Sequence, residues 1–315
     1  MFENFNKLFG ADKIDYSDIT SLENGSANLI VYAIPVMAFL TLLEIWYSWY
    51  SEKRNYNTTE AFGSLFVGLG NVAINLFFKA GLIYGSIFLY NLVPWRIEFN
   101  WWTLIPCLLL YDLCSYWSHH ISHFNRFFWS THVVHHSAES YNLTVSFRLS
   151  WIQHFKIIFF IPVALFGFHP IVFFIANQIS VLFQFWQHTE HIPKLHPMIE
   201  NIFVTPSNHR VHHGSEEKYI DKNFAAIFIF WDKLFGTYEP EKEKPSYGLT
   251  TRIKTSMDPI YLNFHECKDI FNDVKNAKGI RKKLFFIFGS PGDIYRYKLK
   301  KEKEKQLPQS NSVSN

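Results

Sequence analysis

The sequence predicts an all-α integral-membrane helical bundle of about four to five membrane segments, with a cytoplasmic helical cap rich in histidine. Three observations carry this. Hydrophobic residues make up 48% of the chain and 33 of its 315 residues are Phe, more than a water-soluble domain usually holds. Four apolar blocks are long enough to matter to a bilayer, and the first three are nearly free of charge. Most of the 15 histidines fall between residues 119 and 213, a density that a random scatter does not give.

Residues 1–26 form a polar N-terminal segment with excess acid. No basic region precedes the first apolar run and no small-residue cleavage site follows it, so no cleaved signal peptide is predicted. Residues 27–100 read as N-terminal membrane helices. Ala27 to Tyr50 is long enough to span at ~20 residues per crossing, with Trp46 and Trp49 suited to an interface. A polar break, SEKRNYNTTE, separates it from a second run, Phe62 to Val93.

Residues 101–250 hold the third run, Trp101 to Trp117, the histidines, and a fourth block from Ile157 to Trp186. His169-Pro170 near the middle of that block predicts a membrane hairpin or a pair of short helices. Ala225 to Trp231 is apolar but too short to span. Residues 251–315 read as a cytoplasmic helical segment whose last part, from Lys300, is disordered.

Charge placement gives the orientation. With the acidic N-terminus outside, Lys53 and Arg54 face the cytoplasm, and so do the segment from His119 onward and the basic C-terminal region. The net charge of +3 gives no reason to expect nucleic acid as a partner. Cys107 and Cys114 sit in an apolar stretch as core thiols, and the three cysteines form no disulfide framework. Heavy use of Lys, Asn, Ile and Phe suggests an AT-rich, bacterial genome, hence the plasma or inner membrane.

Three histidine clusters carry the chemistry: His119 with His123, then His132, His135 and His136, then His209, His212 and His213. Positions i, i+3 and i+4 share a helix face. Three such faces brought together surround one small volume with eight imidazoles. Neutral imidazole suits iron, zinc or copper, and eight nitrogens exceed the roughly four to six that one ion takes. Two ions with open positions fit the count. The H-E-x-x-H pattern of metalloproteases needs Glu after the first His, where this chain has His120, Val133 and Arg210. The Glu-x-x-His pair of soluble carboxylate-bridged bundles is absent from the sequence.

The ordered motifs H-x₃-H, H-x₂-H-H and H-x₂-H-H resemble the fatty acid hydroxylase/sterol desaturase superfamily, and within it the alkylglycerol monooxygenase-like branch. The stretches DLCSYWSHHISH (112–123), WSTHVVHHSAESYNLT (129–144), FWQHTE (185–190), TPSNHRVHHG (205–214) and YIDKNFAAIFIFWDKLFGTY (219–238) carry the likeness across roughly residues 100–250. His120 stands where the family usually has Arg. The resemblance implies a non-haem di-iron oxygenase that uses O₂ and an external reductant to hydroxylate or desaturate a lipid. It carries ligand roles onto the eight histidines and adds His188 as a ninth ligand or close neighbour. It also suggests ether-lipid cleavage, with a tetrahydropterin or an electron-donor protein as reductant.

Two carboxylates are candidate supports. Asp112 lies seven residues before His119, two turns back on the same face, and Glu190 lies two after His188. Each is expected to orient an imidazole through its second ring nitrogen. Asn208 is either a helix cap or a site residue. A fatty acid, sterol, carotenoid or aminolipid substrate stands beside ether lipid. A histidine-rich membrane metal transporter is the non-enzyme reading, and it would place its ligands inside the spanning helices.

Overall fold

A computed structural model describes residues 10–18, 29–52, 55–251 and 253–306. Most of the polar N-terminal segment, Lys53 and Arg54 therefore lie outside the described residues. Among those residues the only β-structure is two isolated bridges, Gly10 with Arg96 and Phe203 with Phe228. The fold is otherwise helical.

Two helices are long and apolar enough to cross a membrane: α1 (Leu29–Tyr50) and α2 (Thr58–Leu92). Asn57 caps α2 by accepting from the backbone N–H groups of Thr59 and Glu60. Both helices are inverted relative to a soluble protein. Their outward faces carry Tyr32, Phe39, Leu42, Leu76 and Phe77, with Phe77 81% exposed. The buried positions of α1 are all polar, Thr41, Glu44 and Ser48, and on α2 Glu60, Ser64 and Asn71 are buried beside Val67, Ile83, Ile87 and Tyr90. Apolar side chains facing out and polar ones facing in is the pattern that lipid surroundings favour.

Shorter elements complete the bundle. The third, α3 (Leu104–Phe124), has 21 residues, and Asp112 and three histidines interrupt its apolar character. The fourth apolar block breaks as its sequence predicts. A 3₁₀ helix (Gln153–Phe160) runs into a short helix, Ile161–Leu165, and the chain turns at Gly167. Gly167 has φ +86°, and a Cβ there would lie 2.2 Å from the Trp95 carbonyl oxygen, so the turn needs glycine. His169 then caps the helix Pro170–Phe185, which packs chiefly against α3 and also touches α1 and α2. Its 16 residues reach about 24 Å, short of the ~30 Å hydrocarbon core.

The cap is built from short helices. Arg126–Trp129 is α4 and Val133–His136 is α5; we number the Ile161–Leu165 and Pro170–Phe185 helices α6 and α7. Then come α8 (Pro197–Ile202), α9 (Pro206–His212) and α10 (Phe230–Phe235). Three C-terminal helices follow: α11 (Pro259–Asn276), α12 (Ile280–Phe288) and α13 (Pro291–Gln306). The tail expected to be disordered from Lys300 is helical as far as Gln306, because the Asp293 end of α13 is capped by Ser290 and the helix packs through Ile294 and Tyr297. Buried Arg126 ties α4 to α11 through Glu266 at 2.5 Å and Asp273 at 2.6 Å. All three cysteines are free, Cys107 and Cys114 within the core.

The buried polar groups of α1 and α2 hold the loop that follows α5. Glu44 accepts from the backbone of Leu143 at 2.8 Å and from the hydroxyls of Tyr56 and Thr189. Glu60 accepts from the backbone of Glu139 and Ser140, both at 2.9 Å. Arg148, fully buried, donates to the hydroxyls of Ser64 and Ser137 and to the carbonyls of Glu60 and Ser256. Replacing it would remove four hydrogen bonds, three of them buried. Arg148→Met is therefore expected to destabilise the fold by about 3 kcal/mol, read as a lowered unfolding temperature of the detergent-solubilised protein. An unchanged temperature would contradict this account.

Candidate metal centre

Each histidine motif sits where a helix ends, and short helices deliver the rings to one place. His119 and His123 occupy the last turns of α3. His132 is the N-cap of α5, and His135 and His136 end it. Thr205 caps α9, Pro206 takes its first position, and His209 and His212 follow on its inner face, with His213 at its C-cap. Asn208 is thus not the cap. Its side-chain amide donates to the Phe203 carbonyl, and its own carbonyl accepts from Asn223.

Nine imidazoles converge in two groups. Ring nitrogens of His119, His123, His132, His136 and His212 lie within 4.8 Å of one another, as do those of His135, His188, His209 and His213. The groups adjoin: the rings of His136 and His213 stack with centroids 4.5 Å apart. Each H-x-x-H-H motif splits between them. Its i,i+4 pair serves one group and the remaining histidine the other. His132 and His136 join the first while His135 joins the second; His209 and His213 join the second while His212 joins the first. The spacing alone suggests that each motif presents one face to one volume, and the actual division is finer.

Tautomers follow from the partners. His119 Nδ1 lies 2.8 Å from the Phe224 carbonyl, His212 Nδ1 2.9 Å from that of Lys222, and His188 Nδ1 2.9 Å from that of Gln184. A carbonyl only accepts, so these Nδ1 atoms carry the proton and leave Nε2 bare. Those bare nitrogens face other imidazoles. His119 Nε2 is 2.8 Å from His132 Nε2, and His212 Nε2 is 3.1 Å from His136 Nε2. His188 Nε2 is 3.0 Å from His209 Nε2 and 3.2 Å from His135 Nε2. Where the facing nitrogen is bare as well, the two buried lone pairs repel unless a cation lies between them. Nitrogens bound at ~2.1 Å and at right angles sit ~3 Å apart, as these do. His123 Nε2 is buried with no hydrogen-bond partner and is available as a ligand atom.

Electrostatics favour the neutral rings that metals need. Burial, with the neighbouring imidazoles, holds His119, His132, His135, His136, His209, His212 and His213 well below the usual imidazole range. Burial brings His188 down to about 4. His123 is also lowered by burial, against the opposing pull of Asp221. Asp221 accepts from His123 Nδ1 at 3.2 Å and holds a positive φ of 58°.

Asp112 and Glu190 require correction. Neither bonds an imidazole. Both oxygens of Asp112 accept from the 227–231 segment: Ile227 N at 2.9 Å, Phe228 N at 3.0 Å and Trp231 Nε1 at 3.1 Å. Asp232 holds the adjoining Phe224 and Ala225 N–H groups. The two carboxylates fix the loop whose Phe224 carbonyl orients His119, so Asp112 reaches the centre only through that loop. Glu190 pairs instead with Lys244 at 2.9 Å. His188, just beyond α7, uses the open Gln184 carbonyl of the last turn. No motif in the sequence marks Asp221 or the three carbonyls. Only Asp221, in the Tyr219–Tyr238 stretch, had a side chain that could have signalled its role.

The other histidines stay out of both groups. His120 stacks on Phe124 beside Phe224, His154 bonds Asn75, and His169 and His196 cap helices. His191 packs its ring on Tyr47, and His265 bonds within α11.

A helical chain with inverted apolar helices and two adjoining all-imidazole clusters defines a membrane-associated metalloprotein. Comparison with known proteins gives the family: residues 104–237 match the fatty acid hydroxylase family model, and the chain belongs to that family. It is 37% identical to human alkylglycerol monooxygenase over 298 residues, 92% of this chain and 65% of that protein. The Caenorhabditis elegans alkylglycerol monooxygenase is 40% identical over 213 residues, 64% of this chain and 42% of that protein. The ornithine lipid hydroxylase of Rhizobium tropici is 26% identical over 163 residues, 50% of this chain and 48% of that protein. The chain thus spans about 65% or less of the length of these relatives. No solved structure matches.

Two metal-site variants separate the groups. His209→Ala is expected to lower bound metal from about two ions per chain to about one, because the first group keeps all its nitrogens. Asp221→Ala frees His123 and is expected to weaken metal retention by about 10–100-fold. Metal analysis and chelator competition measure these, and loss of both ions in His209→Ala would show that the groups act as one site.

Proposed function

We propose that the chain is a membrane-bound, two-iron, O₂-dependent lipid hydroxylase that attacks the ether-linked carbon of an alkylglycerol lipid. The observation that carries this is the pair of adjoining imidazole clusters in a chain of the fatty acid hydroxylase family. The identity to alkylglycerol monooxygenases supports the ether-lipid substrate. His119, His123, His132, His136 and His212 would hold one iron, and His135, His188, His209 and His213 the other. The irons supply O₂ activation for C–H oxidation.

The chain's own residues do the rest. Carbonyls and Asp221 hold the rings, while Trp129, Phe224 and Tyr141 pack against them and restrict water. One O₂, two electrons and two protons convert the ether C–H to a hemiacetal and water. The hemiacetal then collapses to an aldehyde and the freed glycerol. The electrons come from a tetrahydropterin or an electron-donor protein.

In this reading α3 and the α6–α7 pair complete the membrane part begun by α1 and α2, and the centre lies at the cytoplasmic face. Asn142 bonds Asn55, and Leu143 bonds Glu44, so the α1–α2 connection and the centre share one end. That connection includes Lys53 and Arg54 in sequence. The acidic 10–18 segment joins the opposite end through Ala11 to Arg96 and Ile14 to Asn91. A metal transporter is disfavoured because seven of the nine histidines lie outside α1, α2, α3, α6 and α7, and His119 and His123 sit only in the last turns of α3. The ornithine lipid hydroxylase match keeps an aminolipid substrate as the second reading.

Purified protein, given iron, a reductant and mixed lipids, is expected to hold about two irons per chain and to release fatty aldehyde from alkylglycerol only with O₂. His135→Ala should leave the lipid intact. Iron well below two, together with wild-type lipid as unchanged as the variant's, would overturn the reading. Hydroxylated ornithine lipid without aldehyde would favour the second one.

A further inference from the structure

The short helix α12 turns an apolar stripe away from the protein. Ile280, Leu284 and Phe288 recur every fourth residue along it and are 68%, 47% and 50% exposed. At about 3.6 residues per turn the three share one outer edge, which half-buried Ile287 borders. Arg281 flanks the stripe on one side and Lys283 on the other. Among the described residues neither makes an ion pair, whereas Arg296 and Lys298 on α13 pair with Asp293 and Asp273. The inner face of α12 is already occupied. Phe286 is buried with Ala277 and Ile294, Phe285 and Tyr297 pack against them, and the Lys282 ammonium lies 5.1 Å from the Tyr297 ring centroid. The fold itself has no use for the outer stripe.

Contacts join this stripe to the membrane part. The Arg126 backbone N–H donates to the Gly289 carbonyl at 3.0 Å, and its guanidinium donates to the Phe286 carbonyl at 3.3 Å. These bonds fix α12 beside the end of α3 that bears His119 and His123. Phe288 meets Phe127 with ring centroids 6.4 Å apart, and Phe127 meets Phe155 at 5.5 Å. Phe155, Ile157 and Ile158 are exposed, and their 3₁₀ helix runs directly into α6. An exposed apolar surface thus continues from the α6–α7 pair onto α12. Nine residues reach ~14 Å, too short to cross a bilayer. An outward apolar edge bordered by cations, on a helix too short to span, matches the headgroup boundary with the helix lying in its plane. Two unpaired cations at that depth are complementary to the phosphates of anionic lipids.

We propose that α12 docks on an anionic phospholipid leaflet, the one on the centre's side of the membrane. Ile280, Leu284 and Phe288 enter the upper acyl chains, and Arg281 and Lys283 take lipid phosphates. This rests on the reading that α1 and α2 span the membrane, and it is independent of the substrate. Docking holds α4 through α12, and Trp129 of α4 packs against His123 and His136. The bilayer surface thereby supports one wall of the first imidazole group.

The test uses the full chain in lipid nanodiscs, one chain per disc, made from zwitterionic phospholipid alone or mixed with anionic phospholipid. Cys267→Ser removes the half-buried native thiol, and Cys107 and Cys114 are buried. In that background Ile280→Cys, Leu284→Cys, Phe77→Cys on α2 and Lys242→Cys on the polar cap each carry one fluorophore. Quenchers are lipid brominated on its acyl chain and a neutral water-soluble molecule. In anionic discs both α12 labels are expected to be quenched by the brominated lipid and to be at least about fivefold less open to the aqueous quencher than the Lys242 label. Arg281→Glu with Lys283→Glu, or the corresponding pair of Gln substitutions, should return them to water. Either pair suffices, provided its unfolding temperature matches wild type. Labels on α12 as open as the Lys242 label overturn the proposal, and so does equal shielding in the two kinds of disc. Shielding that appears only with two chains per disc overturns it in favour of a second copy. A Phe77 label in lipid beside α12 labels in water sinks this inference alone; a Phe77 label open to water sinks the membrane reading and this inference with it.

Discussion

The hydrogen bonds from imidazole Nδ1 to backbone carbonyls are the constraint on which the rest depends. They settle which nitrogen of His119, His188 and His212 is bare, and they aim it. A histidine free to flip could present either nitrogen, or point away. A ring whose Nδ1–H is committed to a carbonyl has one lone pair, and its direction is fixed by the backbone. Those carbonyls belong to the end of α7 and to the 222–224 loop, so the geometry of that loop becomes the geometry of the centre. Asp112 and Asp232 are buried for this reason: four backbone N–H groups of residues 224–228 are tied to their carboxylates.

The apolar helices serve the same end. The exposed surfaces of α1 and α2 need only be apolar, but their inner faces carry Glu44, Glu60 and Ser64, and these bind the chain just beyond α5. A carboxylate beside hydrocarbon is costly unless its lone pairs are filled. Here both oxygens of each carboxylate accept hydrogen bonds from loop or cap groups. The result couples bundle to cap. The loop cannot shift without stranding a buried charge, and the bundle cannot splay without releasing the loop.

The histidines were legible because repetition is a strong signal. A single His says little, but three motifs at helical spacing exclude chance, and every ring they named reaches a cluster. His188 was reached by resemblance, since no spacing announces it. The all-helical fold and the break at His169-Pro170 were legible for a similar reason: apolar runs and proline act locally. Partners that act through space were not. Asp112 shares a helix face with His119, yet its carboxylate bonds residues 115 and more positions away. Backbone carbonyls such as Phe224 and Gln184 have no side-chain signature at all. Asp221 had one, but its role depends on a positive φ that only the fold imposes.

The division of each H-x-x-H-H motif between two groups explains why the cap can be made of such short helices. α5 has four residues and α9 seven, far below the length at which a helix is stable alone. Adjacent histidines in each, His135 with His136 and His212 with His213, point into different groups. Each short helix is therefore pinned from two sides at consecutive residues, which fixes both its rotation and its position. A motif feeding one group alone would leave the helix free to pivot about it. The sequence neighbours that look redundant are what makes the two groups a single rigid body, and the 4.5 Å stack of His136 on His213 is where the two motifs meet.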